Sequence, residues 1–286
     1  MTTTNEESTK PAVWFITGVS SGFGRSLAQA VLARGDQVVG TLRKDAQIAE
    51  FEDLAPGRAH GVLLDVTDAA SVPRAVAQAL SRAGTIDVLV NNAGYGLFGA
   101  LEEVSDAEAR QLFDTNVFGT VNVIRAVLPH FRERKRGHIV NFSSVAGVIG
   151  ITGCSCYCAS KHAVEGLSES LARELKPFGI HVTIVEPGGF RTNFAGGSMK
   201  WSQVESPDYA ETVGNMRRFM SSYHGTQTGD PAKAADAVVR AVSADTPPLR
   251  LPLGPDAVDV VRKKLAAVHE NLEAWLDVSS STDFDH

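Results

Sequence analysis

Short apolar runs alternate with longer stretches of helical period along most of the chain. Residues 12–17 (AVWFIT), 37–42, 59–65, 86–91, 138–143 and 181–186 are runs of strand length, and 249–253 offers one more. Between them, apolar positions recur every three or four residues over 21–34, 71–82, a long segment from Ser105 through Val127, and 157–176. That period marks an amphipathic helix. The punctuation agrees. Gly35 closes the first helix, Ser105 with Glu108 three residues on forms a capping-box signal, and Pro177 and Gly179 stop the helix that begins at Tyr157. Asp230 followed by Pro231 starts a helix over 230–242, and 256–276 reads as the last one. Strands separated by helices of this length predict parallel βαβ units. Right-handed crossovers wind them into a doubly wound, mostly parallel α/β sheet with helices on both faces. Ligands of such sheets bind outside the carboxyl ends of the strands.

The regularity fails between Gly188 and Gly229, a stretch that carries Phe190, Phe194, Met199, Trp201, Tyr209, Met216, Phe219, Met220 and Tyr223. A long irregular segment inside a compact domain predicts a substrate lid over 188–229. Residues 1–10 and 277–286 are expected to be a disordered start and a flexible tail. What remains is one Rossmann-type domain spanning 1–286.

Charge and composition change the picture mainly by exclusion. Of 286 residues, 43% are hydrophobic and 21% charged, ordinary globular proportions. The net charge of -6 argues against a nucleic-acid binder, which needs clustered Lys and Arg. The dense basic run at 132–136 falls at a predicted helix end, where it complements the helix dipole. The polar start lacks an apolar signal core, and no run is long and apolar enough to span a membrane. A cytoplasmic location is the expectation. The three cysteines, Cys154, Cys156 and Cys158, sit at alternate positions in odd number. They suggest neither a disulfide framework nor a metal site. They read as small residues lining a loop, with a redox-sensitive thiol as the other possibility.

Candidate chemistry starts at Thr17-Gly18-Val19-Ser20-Ser21-Gly22-Phe23-Gly24, between the first strand and the first helix. Glycines there permit a sharp turn and close approach of backbone to a pyrophosphate, and the helix N-terminus supplies free N–H groups. The spacing is neither G-x-G-x-x-G nor a P-loop. The second strand ends Thr41-Leu42-Arg43-Lys44. An acid at that point would accept from the ribose 2′-OH of NAD. A guanidinium instead holds a 2′-phosphate, so Arg43 points to NADP(H), with Lys44 assisting; the plainer reading is a solvated basic turn.

Tyr157 and Lys161 are four residues apart at a helix start, hence on one face. A free phenol titrates near 10, and a neighbouring ammonium lowers that value towards useful acid–base chemistry. Ser144 follows the fifth strand and precedes Tyr157 by thirteen residues. That loop can bring both hydroxyls to one substrate oxygen and polarise a carbonyl. Asn91-Asn92-Ala93-Gly94 ends the fourth strand. Asn116 lies inside the long helix, where Asn is unfavourable; a plain helix–helix hydrogen bond is its other reading.

Together TGVSSGFG, NNAG, Asn116, Ser144, YCASK and PGGFRT resemble the motif set of the short-chain dehydrogenase/reductase family, in its single-domain branch, over roughly 13–192. NNAGYGLFGALEE and the long C-terminal part are similar to members acting on hydroxysteroids and retinoids. The resemblance implies that Tyr157 exchanges a proton with the substrate oxygen. Lys161 lowers its pKa and holds the nicotinamide ribose, Ser144 orients the carbonyl, and Asn116 anchors a water in a proton relay. It implies adenine contacts at Asp65 and Val66, a cofactor lining of Asn91, Ala93 and Gly94, and Pro187, Gly188 and Thr192 around the nicotinamide end. Phe23, where a smaller aliphatic is usual, and the cysteines beside Tyr157 depart from the pattern.

The lid residues, with Tyr95, Leu97 and Phe98, suggest an apolar pocket, in which Tyr95, Cys154, Phe190 and Met199 would meet substrate. The expected reaction is NADP(H)-dependent interconversion of a hydrophobic, medium or bulky ketone or aldehyde with its alcohol, mainly as reduction. The same apolar residues could instead pack the core or an oligomer interface. A non-catalytic NADP(H) sensor and an epimerase or dehydratase of related fold are the rival readings. A homodimer or homotetramer through the two long helices is also implied by the resemblance.

Overall fold

The computed structural model describes residues 11–284; the expected disordered start at 1–10 lies outside them. Along the chain come β1 (Val13–Ile16), α1 (Gly22–Ala33), β2 (Gln37–Leu42), α2 (Ile48–Glu52), β3 (Ala59–Leu63), α3 (Val72–Ala83), β4 (Val88–Asn91) and β5 (Gly96–Phe98). Then follow α4 (Asp106–Phe113), α5 (Gly119–Arg134), β6 (Gly137–Phe142), α6 (Ser155–Leu175) and β7 (Ile180–Pro187). The last are β8 (Met199–Trp201), α7 (Asn215–Tyr223), α8 (Pro231–Val242), β9 (Arg250–Leu253), α9 (Pro255–Ala274) and α10 (Leu276–Ser280).

Seven strands form one parallel sheet in the order β3-β2-β1-β4-β6-β7-β9. The order reverses between β1 and β4, which opens a crevice at their carboxyl ends. Strand alternation divides the core in two. Trp14 and Ile16 of β1 face a cluster with Leu27 and Val31 of α1 and Val238 of α8. Val13 and Phe15 face the other, with Val76 of α3, Val123 and Phe131 of α5 and Leu171 of α6.

Three departures from the sequence reading have local causes. The long helix is interrupted by a π-helical turn over Asp114–Phe118 and runs on to Arg134, with Pro129 inside it. The Ser105–Glu108 capping box is present at its start. The lid is not uniformly irregular: β8 adds to β5 as a two-stranded parallel sheet, and α7 follows. Of the segment expected as a flexible tail, residues 277–280 lie in the short helix α10, and 285–286 lie outside the described residues.

Candidate active site

After β1 the chain turns into α1 through the glycine-rich loop. Gly18 and Gly22 have φ of 73° and 59°, left-handed values that a side chain resists. A Cβ on Gly24 would stand 2.3 Å from the Gly18 carbonyl oxygen and 2.5 Å from Asn92 Nδ2. The first turn of α1 can therefore lie against the loop only with glycine there. The loop is held from both sides. The Gly18 N–H donates to Thr41 Oγ1 at 3.1 Å, near the end of β2. Asn92 Nδ2 donates to the carbonyls of Thr17 and Gly18 at 2.9 and 3.0 Å. Thr17 Oγ1 in turn accepts from the N–H groups of Asn92 and Ala93, each at 3.0 Å. Ser20 and Ser21 are exposed at the mouth. Helix α1 has no side-chain cap and no acid in its first turn, so its dipole and free N–H groups face the crevice unopposed. That donor set suits a pyrophosphate.

Asn92 escaped the sequence reading, which named its neighbours. Asn91 instead turns into the sheet. Its Nδ2 donates to Asn141 Oδ1 at 2.8 Å, because successive residues of β4 face opposite ways. The Asn91 side chain is thus a core strut, and Asn92 holds the loop. Arg43 is exposed just past β2, two residues from Thr41. Past β3, Asp65 accepts from the Thr67 N–H and hydroxyl at 2.9 and 2.8 Å, and the Val66 carbonyl accepts from Asn122 Nδ2 at 3.2 Å. On the far rim, Pro187 ends β7, and the Gly188 N–H donates to the Leu253 carbonyl at 3.0 Å. Thr192 reaches across to the loop, its Cβ 3.8 Å from where a Cβ on Gly22 would sit.

The second half of the crevice is built on β6 and α6. Tyr157 and Lys161 share one face of α6, both buried. Lys161 Nζ donates to the Phe142 carbonyl at 2.8 Å and lies 5.9 Å from the Tyr157 ring centre. Ser144 Oγ accepts from the Ala146 N–H at 3.1 Å, which leaves its hydroxyl proton free to donate. Asn116 sits in the π-helical turn, a feature common at functional sites. Its Oδ1 accepts from the Tyr95 N–H at 3.0 Å, and its Nδ2 donates to the Tyr95 carbonyl at 2.9 Å and Ser160 Oγ at 3.2 Å. A Cβ on Gly94 would stand 3.0 Å from Asn116 Oδ1 and 3.8 Å from Lys161 Nζ, so glycine there lets the two side chains approach.

Burial dominates the electrostatics. It raises the Tyr157 phenol above its ordinary value, a Ser144 hydrogen bond pulls the other way, and Cys154 and Cys158 push it up further. It also brings the Lys161 ammonium down to about 8, partly offset by Glu165. Desolvation thus works against the lowering expected from Lys161, whose Nζ lies 5.9 Å from the ring centre. Burial likewise pushes the Cys154 thiol up to about 12, which makes it a poor nucleophile.

Around Tyr157 lies a third apolar cluster with Phe98, Leu112, Cys154 and Cys158, against which Tyr95, Phe194, Met199 and Trp201 pack. Phe98 stacks on Tyr157 at 6.3 Å and Phe194 tilts against it at 5.9 Å. Of the expected substrate residues, Tyr95, Cys154 and Met199 gather here. Phe190 does not. It packs edge-on against Phe23 of the glycine loop, ring centres 5.2 Å apart, and Phe194 takes the place beside Tyr157.

A phosphate cradle on a helix N-terminus, joined by one crevice to a buried Tyr–Lys pair, is the layout of a nicotinamide-dependent oxidoreductase. The short chain dehydrogenase family model matches residues 12–203, and the chain belongs to that family of oxidoreductases, which act on CH–OH groups and bind nicotinamide cofactors. A crystal structure of a short-chain dehydrogenase from Streptomyces avermitilis superposes with a TM-score of 0.89 at 47% identity, covering 96% of this chain and all of that one. The 3-ketodihydrosphingosine reductase of Bacteroides thetaiotaomicron is 40% identical over 86% of this chain and 89% of its own. Human retinol dehydrogenase 8 is 39% identical over 84% and 80%. Related solved structures hold NAD in one case and NADP in others. Among the described residues, no helix is long and apolar enough to cross a membrane.

Proposed function

We propose that the protein is an NADP(H)-dependent carbonyl reductase acting on a hydrophobic ketone or aldehyde of medium or large size. The carrying observation is the buried Tyr157 phenol, next to the Ser144 hydroxyl and one helical turn from Lys161. The phenol is protonated at neutral pH and so can give its proton to a carbonyl oxygen as the hydride arrives. Ser144, its lone pair engaged by Ala146, directs its proton to the same oxygen and stabilises developing negative charge. Lys161 lies one helical turn from Tyr157, and a water anchored by Asn116 would link it to solvent, so that the phenol regains the proton it gives up. The cofactor supplies the hydride; the chain supplies position and protons.

Arg43, with no acid at the end of β2, supports the phosphorylated cofactor. The loop from Thr17 to Gly24 would take the pyrophosphate, Asp65 and Val66 would take the adenine, and Ala93, Gly94, Pro187, Gly188 and Thr192 would line the nicotinamide side. Phe98, Phe194 and Met199 around Tyr157 support an apolar substrate, as do the substrates in the names of the two relatives. A homodimer or homotetramer through α5 and α6 belongs to the same proposal. The test is steady-state reduction of a panel of long-chain, steroidal and small polar carbonyls with NADPH and NADH. Turnover of the bulky apolar members, with NADPH preferred at least tenfold, is expected. Preference for NADH would overturn the role of Arg43, and turnover of small polar sugars alone would overturn the apolar pocket.

A further inference from the structure

Helix α6 carries a further titratable side chain on the face that holds Tyr157 and Lys161. Tyr157, Lys161, Glu165 and Glu169 follow at steps of four, so they form one row along the helix. The row runs outward from the crevice. Tyr157, Lys161 and Glu165 are buried, and the Glu169 side chain is 43% exposed. A carboxylate is rarely as deep as Glu165 without partners. Its partners come from three strands. Arg250 of β9 donates through Nη1 to Glu165 Oε2 and, at 3.1 Å, to Oε1 of Glu186 on β7, and through Nη2 to Glu169 Oε2 at 3.1 Å. Past the end of β6, the Ser143 hydroxyl and Glu165 Oε1 flank Gly147, where a Cβ would stand 2.3 and 3.1 Å from them. Both atoms are buried with no partner elsewhere among the described residues.

The charges of this cluster do not close on themselves. Glu165 and Glu186 are both buried, Glu186 to 1%, and they share one guanidinium. Lys161 has the opposite need. Its buried ammonium donates to the neutral Phe142 carbonyl, and it makes no ion pair among the described residues. A buried charge requires a counter-charge. The titratable groups around the two side chains are Tyr157, His162 and Glu169 on α6, Glu186 on β7 and Arg250 on β9. Burial raises both buried carboxyls, and Glu165 raises Glu186 further, while Ser143, Arg250 and His162 draw Glu165 down. The negative charge of the cluster therefore settles on Glu165, one turn from Lys161, where it offsets part of what burial takes from the ammonium. The same carboxylate sits against Ser143, between Phe142, which anchors Lys161, and Ser144.

We propose that Glu165 is a positioning residue for the reaction: anchored by Arg250 and Ser143, its carboxylate is the counter-charge that keeps Lys161 cationic behind Tyr157. Glu165 acts only through Lys161, so the proposal rests on the role given to Lys161 in the proposed function.

NMR of the full chain, labelled at the lysine ε-carbons, tests this without substrate or cofactor. The Lys161 signal is assigned by its loss in Lys161→Met. Its titration midpoint is expected at about 8 in the wild type. Glu165→Gln removes the charge and keeps the volume and an acceptor for Arg250, and should lower the midpoint by about one pH unit. Glu186→Gln takes an equally buried carboxylate from the same guanidinium and should leave the midpoint within a few tenths of a unit. Glu165→Asp keeps the charge but withdraws it by one methylene, and its midpoint is expected between those of the Gln chain and the wild type. With saturating NADPH and the best carbonyl of the panel, the alkaline limb of turnover should move with the midpoint. The Glu165→Gln chain should then be about fivefold slower than the wild type near pH 8 and about equal to it near pH 6. A midpoint unmoved or raised by Glu165→Gln overturns the inference. So does an equal fall in Glu186→Gln, which would mark a general loosening of the cluster. Should the Gln chain fail to fold, an Asp-chain midpoint equal to that of the wild type overturns it instead. Absence of turnover on every carbonyl, with the Lys161 midpoint displaced as expected, would overturn the proposed reaction and not the pairing of Glu165 with Lys161.

Discussion

The two halves of the crevice are made of different material. The half proposed for the cofactor is backbone: the Thr17–Gly24 turn, tied by Asn92, Thr41 and Thr17 hydrogen bonds, with glycine required where φ is left-handed or a Cβ would collide. The half proposed for substrate is side chain: Phe98, Met199 and Trp201 on two short strands far apart in sequence, with Phe194 from the helical turn before β8, packed around Tyr157. Backbone requirements tolerate almost no substitution, because a glycine conformation has no substitute among L-residues. Apolar contacts tolerate many, because volume rather than identity is what they conserve. The chemistry is therefore pinned at one end and adjustable at the other.

Tyr157 stands where the halves meet, and Tyr157→Phe should break them apart functionally. Turnover is expected to fall by about a thousandfold or more, within the range for general acid catalysis, while NADPH still binds. Single-turnover kinetics with a fluorescence titration read both. Gly24→Ala attacks the cradle alone. Its new Cβ would overlap the Gly18 carbonyl, and NADPH affinity should weaken by roughly a hundredfold at a stability cost of about 1–3 kcal/mol; retained affinity would mean that the loop bends freely. Arg43→Glu leaves the cradle intact and should lower the NADPH-over-NADH preference by roughly 10- to 100-fold, the worth of a charge-assisted contact. On the substrate side, Phe194→Ala should raise KM for bulky apolar ketones by about tenfold and leave small ketones nearly unaffected, which a substrate series would show.

The smallest effect concerns Lys161. Burial lowers its pKa from 10.5 to about 8, so between those values the folded chain binds fewer protons than the unfolded one. Stability without cofactor should then rise with pH from about 8 upward, and be lowest below it. Thermal melts from pH 7.5 to 9.5 should climb by a few degrees, and Lys161→Met should flatten that slope. A melting temperature that falls through this window more steeply in the wild type than in the variant would reverse the assigned sign.

Most of the fold is legible in the sequence, because strand and helix periods are local and the caps at Ser105 and Asp230 announce themselves. The glycine turn between β1 and α1 is legible for the same reason. Less legible are features whose cause is a distant neighbour. Asn91 and Asn92 are adjacent and identical, and only the pairing of β4 with β6 sends one into the core and the other to the loop. Phe190 and Phe194 look alike on a string, yet one meets Phe23 and the other Tyr157.

By itself, the sequence determined the strand–helix alternation, the glycine turn and the one-turn spacing of Tyr157 and Lys161, all set within a few residues by dihedral preference and periodicity. Tertiary structure alone decided which side chains enclose Tyr157, how β8 joins β5, and that burial pushes the phenol upward. Each of these depends on burial and on partners brought from across the chain, and neither quantity exists until the sheet has closed around them.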